Sequence, residues 1–252
     1  MDESNIGKQP ASYDVENNVE SFHWWFVVRR KLLASILSSN QGPTNSLTLD
    51  IGCGAGSNLK VLSSAGINAI GLDRSFYALS LARKRTKFPL LNGDLNDLPL
   101  RPKSVGLIVA MDILEHLDND IGGIRSFYQA ITEDGKLILT VPAFRSLWGI
   151  QDEVTFHKRR YSRHEIVNKL QQEGFEIMKS SYFNFFLFFP ILLGRRIIRI
   201  LGLRLDSENK INSPFINYVL KAIFSFEPYM LKYVSFPFGV SILCIARKNS
   251  AL

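Results

Sequence analysis

A chain of 252 residues can bury one substantial core and is short for two full domains. Its 46% apolar content and mean hydropathy of +0.04 exclude a disordered chain, while a formal charge of +7 points to an anionic partner: nucleic acid, an acidic lipid surface or a phosphorylated small molecule. Nucleic acid is set aside, because Lys158-Arg159-Arg160 is a short cluster in a loop and not a long basic face with interleaved aromatics. Two cysteines, Cys53 and Cys244, give neither a disulfide framework nor a metal-ligand spacing, and the acidic start Met1-Asp2-Glu3 lacks the form of a secretory signal, so a reducing cytoplasmic setting is expected.

Residues 1–16 are polar without periodicity and are expected to fray. The spacing of Trp24, Trp25, Val28, Leu32 and Leu33 predicts a helix over Glu20–Leu37, stopped by Asn40-Gln41-Gly42-Pro43. Short apolar runs then alternate with helical stretches. Strands are expected at Leu47–Ile51, Ala69–Leu72, Leu90–Asn92, Val105–Ala110 and Leu137–Val141, with helices at Ser57–Ala65, Phe76–Lys87 and Ile121–Thr132 and an irregular crossover at Asp94–Lys103. A long loop, Pro142–Tyr161, leads to a helix opened by Ser162-Arg163-His164-Glu165, a capping-box spacing. Phe175–Phe185 and Val240–Ala246 read as two further strands around an insertion. The expected architecture is a doubly wound α/β sheet. Residues 1–40 would form a tail and a lid or packing helix, 41–182 with 238–248 the core, and 183–237 an apolar and basic helical insertion.

Asp50-Ile51-Gly52-Cys53-Gly54-Ala55-Gly56 falls where the first strand turns into a helix, so backbone can approach a ligand while the helix N-terminus offers free N–H groups. A dinucleotide site uses the same physics with G-x-G-x-x-G, but Ser57 stands where the third glycine belongs, which argues against NAD. Asp50 would face a bound cation or its ordered water. Asp73 ends the second strand, where a carboxylate accepts from ribose hydroxyls, with Arg74 beside it. Asp94 follows the third strand, placed for an adenine amino group with Leu95 against the ring, and Met111 follows the fourth. Four successive strand ends thus deliver contacts to one crevice.

These residues resemble the class I S-adenosylmethionine-dependent methyltransferase superfamily, especially the broad group containing ubiquinone and menaquinone methyltransferases, over about residues 20–182 and 240–247. The resemblance implies a Rossmann-like, seven-stranded, mostly parallel sheet whose last strand is antiparallel. It also implies S-adenosyl-L-methionine as cofactor, with Asp50, Gly52, Gly54, Asp73, Asp94 and Met111 as contacts. Cys53, inside the loop, is grouped with them. The alternatives are a soluble methyltransferase for a free small metabolite, with the insertion as a lid or dimer surface, a non-catalytic module of the same fold, and an NAD-dependent oxidoreductase.

Methyl transfer requires alignment and, for hydroxyl acceptors, removal of a proton. Asp112-Ile113-Leu114-Glu115-His116 resembles the acidic-x-x-Glu-His signature of quinone O-methyltransferases, some of which bind a divalent metal there. Asp112 replaces the longer Glu usual in that group, so no metal is assigned, and His116 is the first candidate base. A second cluster, Phe156-His157-Lys158-Arg159-Arg160-Tyr161, puts His157, Arg160 and Tyr161 beside the expected acceptor, where arginine suits a phosphate or carboxylate. Trp25 and Arg29 are candidate lid contacts.

The segment Tyr182–Leu193 is unusually apolar but is broken by Pro190 and ends at Arg195-Arg196, too short to span a bilayer. At helical spacing, Arg195, Arg196 and Arg199 fall opposite Ile197, Ile198 and Leu201. A second segment places Phe215, Ile216, Val219, Leu220, Ile223 and Phe224 on one side, with Asn217 and Lys221 on the other. Two such helices either pack on the sheet or cap the acceptor site while dipping into an anionic membrane surface. The expected acceptor is accordingly a small-molecule or lipid-linked amphiphile, and the expected location cytoplasmic, peripheral on the membrane face.

Overall fold

The computed structural model describes residues 10–43, 45–202 and 213–249. Its sheet grows from apolar runs that are buried on both faces: β1 (Thr48–Ile51), β2 (Ala69–Asp73) and β4 (Val105–Met111) are buried throughout. With β3 (Leu90–Asn92), β5 (Ile131–Pro142), β6 (Phe175–Phe183) and β7 (Ser241–Lys248), the described residues form a seven-stranded sheet in the order β3-β2-β1-β4-β5-β7-β6. Neighbours from β3 to β5 are parallel, and β7 runs antiparallel to both β5 and β6. The order reverses between β1 and β4, which opens a crevice at their carboxyl ends.

Helices α3 (Ser57–Ser64), α4 (Phe76–Arg83), α5 (Asp120–Ala130) and α7 (Arg163–Gln172) connect the strands. Ser75 and Asn119 cap α4 and α5 by accepting from the N–H groups of Ala78 and Gly122. Ser162 caps α7 by accepting from Glu165 N, while the Glu165 carboxylate pairs with Lys169 one turn on.

Several expectations are corrected. Residues 10–16, expected to fray, belong to helix α1 (Pro10–Val19), and the helix expected from Glu20 starts at Trp24, giving α2 (Trp24–Leu37) with buried His23 as its cap. The rest of the tail, residues 1–9, lies outside the described residues. Ile113 leads into a single 3-10 turn, Leu114–His116, and the helix proper waits for Asn119. The loop after β5 contains a further turn at Arg145–Leu147 and a short helix, α6 (Ile150–Val154). β6 ends two residues early, because Asn184 turns the chain with φ +57°.

The insertion forms α8 (Phe188–Ile200), α9 (Pro214–Ser225) and α10 (Glu227–Met230), while residues 203–212 lie outside the described residues. Helix α9 is rotated from its expected setting. Asn217, expected outward, faces α2: its Oδ1 accepts from Trp24 N at 2.8 Å and its Nδ2 donates to Phe22 O at 3.0 Å. It satisfies a free N–H at the start of α2, and the rotation leaves Phe215 and Ile223 exposed. Phe224 is fully buried and stacks on Trp25 and Phe183, with ring centroids 5.7 and 6.3 Å away. Truncating that ring leaves a cavity, so Phe224→Ala is expected to cost about 3–5 kcal/mol, read as a lower urea midpoint.

Candidate active site

A cavity of about 890 Å³ follows the carboxyl ends of β1, β2 and β4 and runs beneath α2, α8 and α9. Its size is at the upper end of the roughly 300–1,000 Å³ usual for cofactor and small-molecule sites.

At one end lies the glycine loop. Gly52, Gly54 and Gly56 all have positive φ. A Cβ on Gly52 would lie 1.9 Å from the end of the Ile113 side chain, which would have to move, and the φ of +66° itself favours glycine. Gly54 lines the cavity, and a Cβ on it would meet no protein atom within 4 Å. Asp73 ties the loop to the next strand, its carboxylate accepting from Gly54 N at 2.9 Å and Ser75 N at 2.8 Å. The N-terminal helices close this end: Arg30 donates to Ser57 Oγ and Glu20 O, Glu20 pairs with Arg85, and Tyr13 and Asn17 of α1 join the wall.

Of the expected cofactor contacts, Gly52, Cys53, Gly54, Asp73, Arg74, Leu95 and Met111 line the cavity. Asp50 and Asp94 are not among the lining residues. Asp50 is fully buried behind the loop, where its Oδ1 accepts from Asn58 at 3.2 Å, and burial, aided by the nearby Asp73, pushes its carboxyl up to about 7. Asp94 is exposed and accepts from Asn96 N.

The other end is built around a residue that sequence reading missed. Asp152, buried at the start of α6, accepts from Gly149 N, from Nδ1 of His157 at 2.8 Å and from the forked guanidinium of Arg160 at 2.8 and 3.0 Å. Burial alone would raise its carboxyl, but the bonds from His157 and Arg160 outweigh it and hold the group well below the usual range. An ionised partner can only accept, so Nδ1 of His157 carries a proton and Nε2 is the ring nitrogen not taken up by Asp152. The His116 ring meets His157 edge-on at 4.8 Å.

Glu115 lies beside them, fully buried, with Oε1 3.8 Å from His157 Nε2, and both its oxygens lack hydrogen-bond partners. Burial, reinforced by Asp112, keeps its carboxyl well above the ordinary range. Donor atoms of Glu115, His116 and His157 come within 4.8 Å of one another, a set with the chemistry of a divalent-cation site. Asp112 is not part of that set, since it pairs with Arg29 at 2.7 Å and accepts from Thr140.

His116, His157 and Arg160 line the cavity, as do Trp25 and Arg29. Tyr161, expected beside the acceptor, is instead buried in the interior and does not line it. Its hydroxyl donates to Asp120 at 2.9 Å, and burial with that negative neighbour raises it far above the usual range. The cause is local: Ala143 bridges Tyr161 as a short strand pair, so successive residues face opposite ways, Lys158 and Arg160 to the cavity and Arg159 and Tyr161 toward Asp120. Arg195 of α8 also enters the cavity wall, 3.9 Å from Asp152, whereas the sequence pattern grouped it with Arg196 and Arg199, which are exposed.

A glycine loop after the first strand of a sheet in this order defines the fold of the class I S-adenosylmethionine-dependent methyltransferase superfamily, and this is the fold the chain adopts. Residues 49–139 match a family model described as a methyltransferase domain. A probable S-adenosylmethionine-dependent methyltransferase of Mycolicibacterium smegmatis is 25% identical over 134 residues, covering 51% of each chain. The ubiquinone biosynthesis O-methyltransferase of Yersinia enterocolitica is 25% identical over 150 residues, covering 56% of this chain and 61% of its own. The chain therefore spans about half to three fifths of the length of these curated relatives. A solved S-adenosylmethionine-dependent methyltransferase of Thermotoga maritima superposes with a TM-score of 0.61 at 18% identity, covering 95% of both chains. The cofactor of the superfamily fits the donor end, where Gly54 leaves room, Asp73 offers a carboxylate and Leu95 and Met111 give apolar walls.

A carboxyl raised from about 4 in the unfolded chain to about 7 in the fold binds its proton more tightly when folded. Stability from Asp50 is therefore present below pH 4 and is lost as pH rises to about 7. Asp50→Asn keeps the bond from Asn58 and removes the titration. Urea midpoints are expected to fall less between pH 5 and 7.5 in the variant than in the wild type.

Proposed function

We propose that the chain transfers a methyl group from S-adenosylmethionine to an oxygen or nitrogen atom of an amphiphilic, lipid-linked acceptor at a membrane surface. The observation that carries the catalytic part is the Asp152–His157 pair, held in the same cavity as the glycine loop. When bound, the cofactor supplies an electrophilic methyl on a sulfonium. His157 Nε2 takes the proton of the attacking hydroxyl or amine, and ionised Asp152 steadies the resulting imidazolium. Arg160, saturated by Asp152 and Ala143 O, positions that pair, and His116 packs against the base. Burial shifts the neighbouring Glu115 carboxyl toward its neutral form.

The acceptor reading is supported by the insertion. On its cavity side α8 presents Ile191, Gly194, Arg195 and Ile198, and α9 presents Ile216 and Leu220. On the outside, Phe189, Leu193, Ile197 and Ile200 form an exposed stripe along α8 with exposed Arg196 beside it, and Phe215 and Tyr218 of α9 are exposed as well. Among the described residues no helix is long and apolar enough to cross a membrane, and the setting proposed for this stripe is an interfacial one.

Calorimetry should show binding of S-adenosylmethionine and none of NAD, with Asp73→Ala weakening the former at least 10-fold. NAD binding alone would refute the methyl-donor assignment. In an assay of tritiated methyl transfer into a chloroform-soluble extract of the host cells, His157→Gln is expected to lower the rate about 100-fold or more. His116→Gln should lower it less, and the reverse order would make His116 the base. In flotation with phosphatidylglycerol vesicles at low salt, the wild type should rise and Leu193→Glu/Ile200→Glu should not. A wild type that stays at the bottom would make the insertion a lid over a water-soluble acceptor.

A further inference from the structure

Asn184 stands where β6 ends, and every part of it except the carboxamide is accounted for by the fold. Its φ of +57° belongs to the left-handed region that asparagine tolerates. Backbone bonds from Asn184, Phe185 and Phe186 converge on the carboxylate of Glu227, a fully buried residue of α10, and Phe186 N lies 3.1 Å from it. Glycine at 239 lets the neighbouring backbone come close, since a Cβ there would lie 2.4 Å from Phe183 O. The turn is therefore clamped on both sides. The side chain it presents is fully buried, lines the cavity, and has no hydrogen-bond partner for either its oxygen or its nitrogen. A buried amide left unpaired is destabilising, and native folds leave few of them.

We infer that Asn184 is the acceptor-recognition residue of this cavity, binding an uncharged hydroxyl or carbonyl group on an otherwise apolar molecule. A carboxamide both donates and accepts, which matches a hydroxyl and gives no compensation to a full charge. The walls around the same cavity suit the apolar remainder: Trp25, Ile191, Leu220 and Val240 line it. Ile216 lines it and is also 46% exposed, so the cavity reaches the outer surface beside α9. The assignment rests on reading this end of the cavity as the acceptor site, and it deepens that reading by giving the acceptor a second polar group besides the one methylated.

The test needs no turnover. Quenching of tryptophan fluorescence, with Trp25 in the wall, would give affinities of the cofactor-free protein for 4-octylphenol and octylbenzene, which differ by one hydroxyl. The ratio of the two affinities is expected to drop about 10-fold from wild type to Asn184→Gly, whose backbone suits the positive φ, and to Asn184→Ala. Asn184→Gly should melt at or above the wild-type temperature, because it removes an unpaired amide. An unchanged ratio would overturn the assignment. So would a Tm well below wild type, which would show that the amide has a partner inside the protein. Calorimetry with S-adenosylmethionine on the same samples separates the two ideas: loss of cofactor binding with the hydroxyl preference intact would sink the methyltransferase reading alone, and the converse would sink only this one.

Discussion

The acceptor half of the cavity depends on the charge of one buried carboxylate. Asp152 has no access to water, so its ionised form survives only because four donors from three places converge on it: a backbone N–H at the start of α6, His157, and both arms of the Arg160 fork. Each bond fixes a different element. Gly149 sets the direction of α6, Arg160 draws the following strand segment to Ala143 O, and His157 is left with only one nitrogen for chemistry. Arg195 approaches the same carboxylate from the insertion, which ties α8 to the loop after β5. Removing the carboxylate would take away the anion that His157 and Arg160 share, so the position of the histidine is coupled to that of the arginine.

The donor half depends on a different constraint, the geometry of parallel strands, and this is why it could be read from sequence. A strand buried on both faces shows as an unbroken apolar run, and its last residue marks the crevice. Gly52, Gly54, Asp73 and Met111 could be placed at the crevice because each ends such a run or follows it within three positions. Asp94 marks the limit of that logic: β3 is only three residues long and partly exposed, so its end does not fix where the next side chain points. Asp73 also does more than the pattern says, because its bonds to Gly54 N and Ser75 N shape the loop itself.

What remained illegible is governed by contacts between segments distant in sequence. The wheel of α9 counts apolar residues, yet its rotation was decided by Asn217 meeting the free N–H of Trp24, 193 positions away. Tyr161 looked like part of a basic, aromatic acceptor face. A single bridge to Ala143 imposed an alternation that sent it inward and left Arg160 at the cavity. Nothing in the spacing from Asp152 to His157 announces a pair, since five residues span a helix end and a turn with φ +57° at Phe156.

Helix α8 is apolar on both sides. A lid facing water would keep its outer face polar, but while α8 brings Ile191, Gly194, Arg195 and Ile198 to the cavity it leaves Phe189, Leu193, Ile197 and Ile200 exposed beside Arg196 and Arg199. Burying each such side chain is worth about 1.5–3 kcal/mol, so the stripe is a sizeable driving force with no occupant among the described residues of the chain. Under the proposed membrane setting, that force would hold the protein at the interface while the same helix presents its inner face to the acceptor. An amphiphile would then pass from the leaflet to the cavity along Ile216 without crossing water. Specificity for its head would reside in groups the apolar walls cannot replace, which is the position Asn184 occupies.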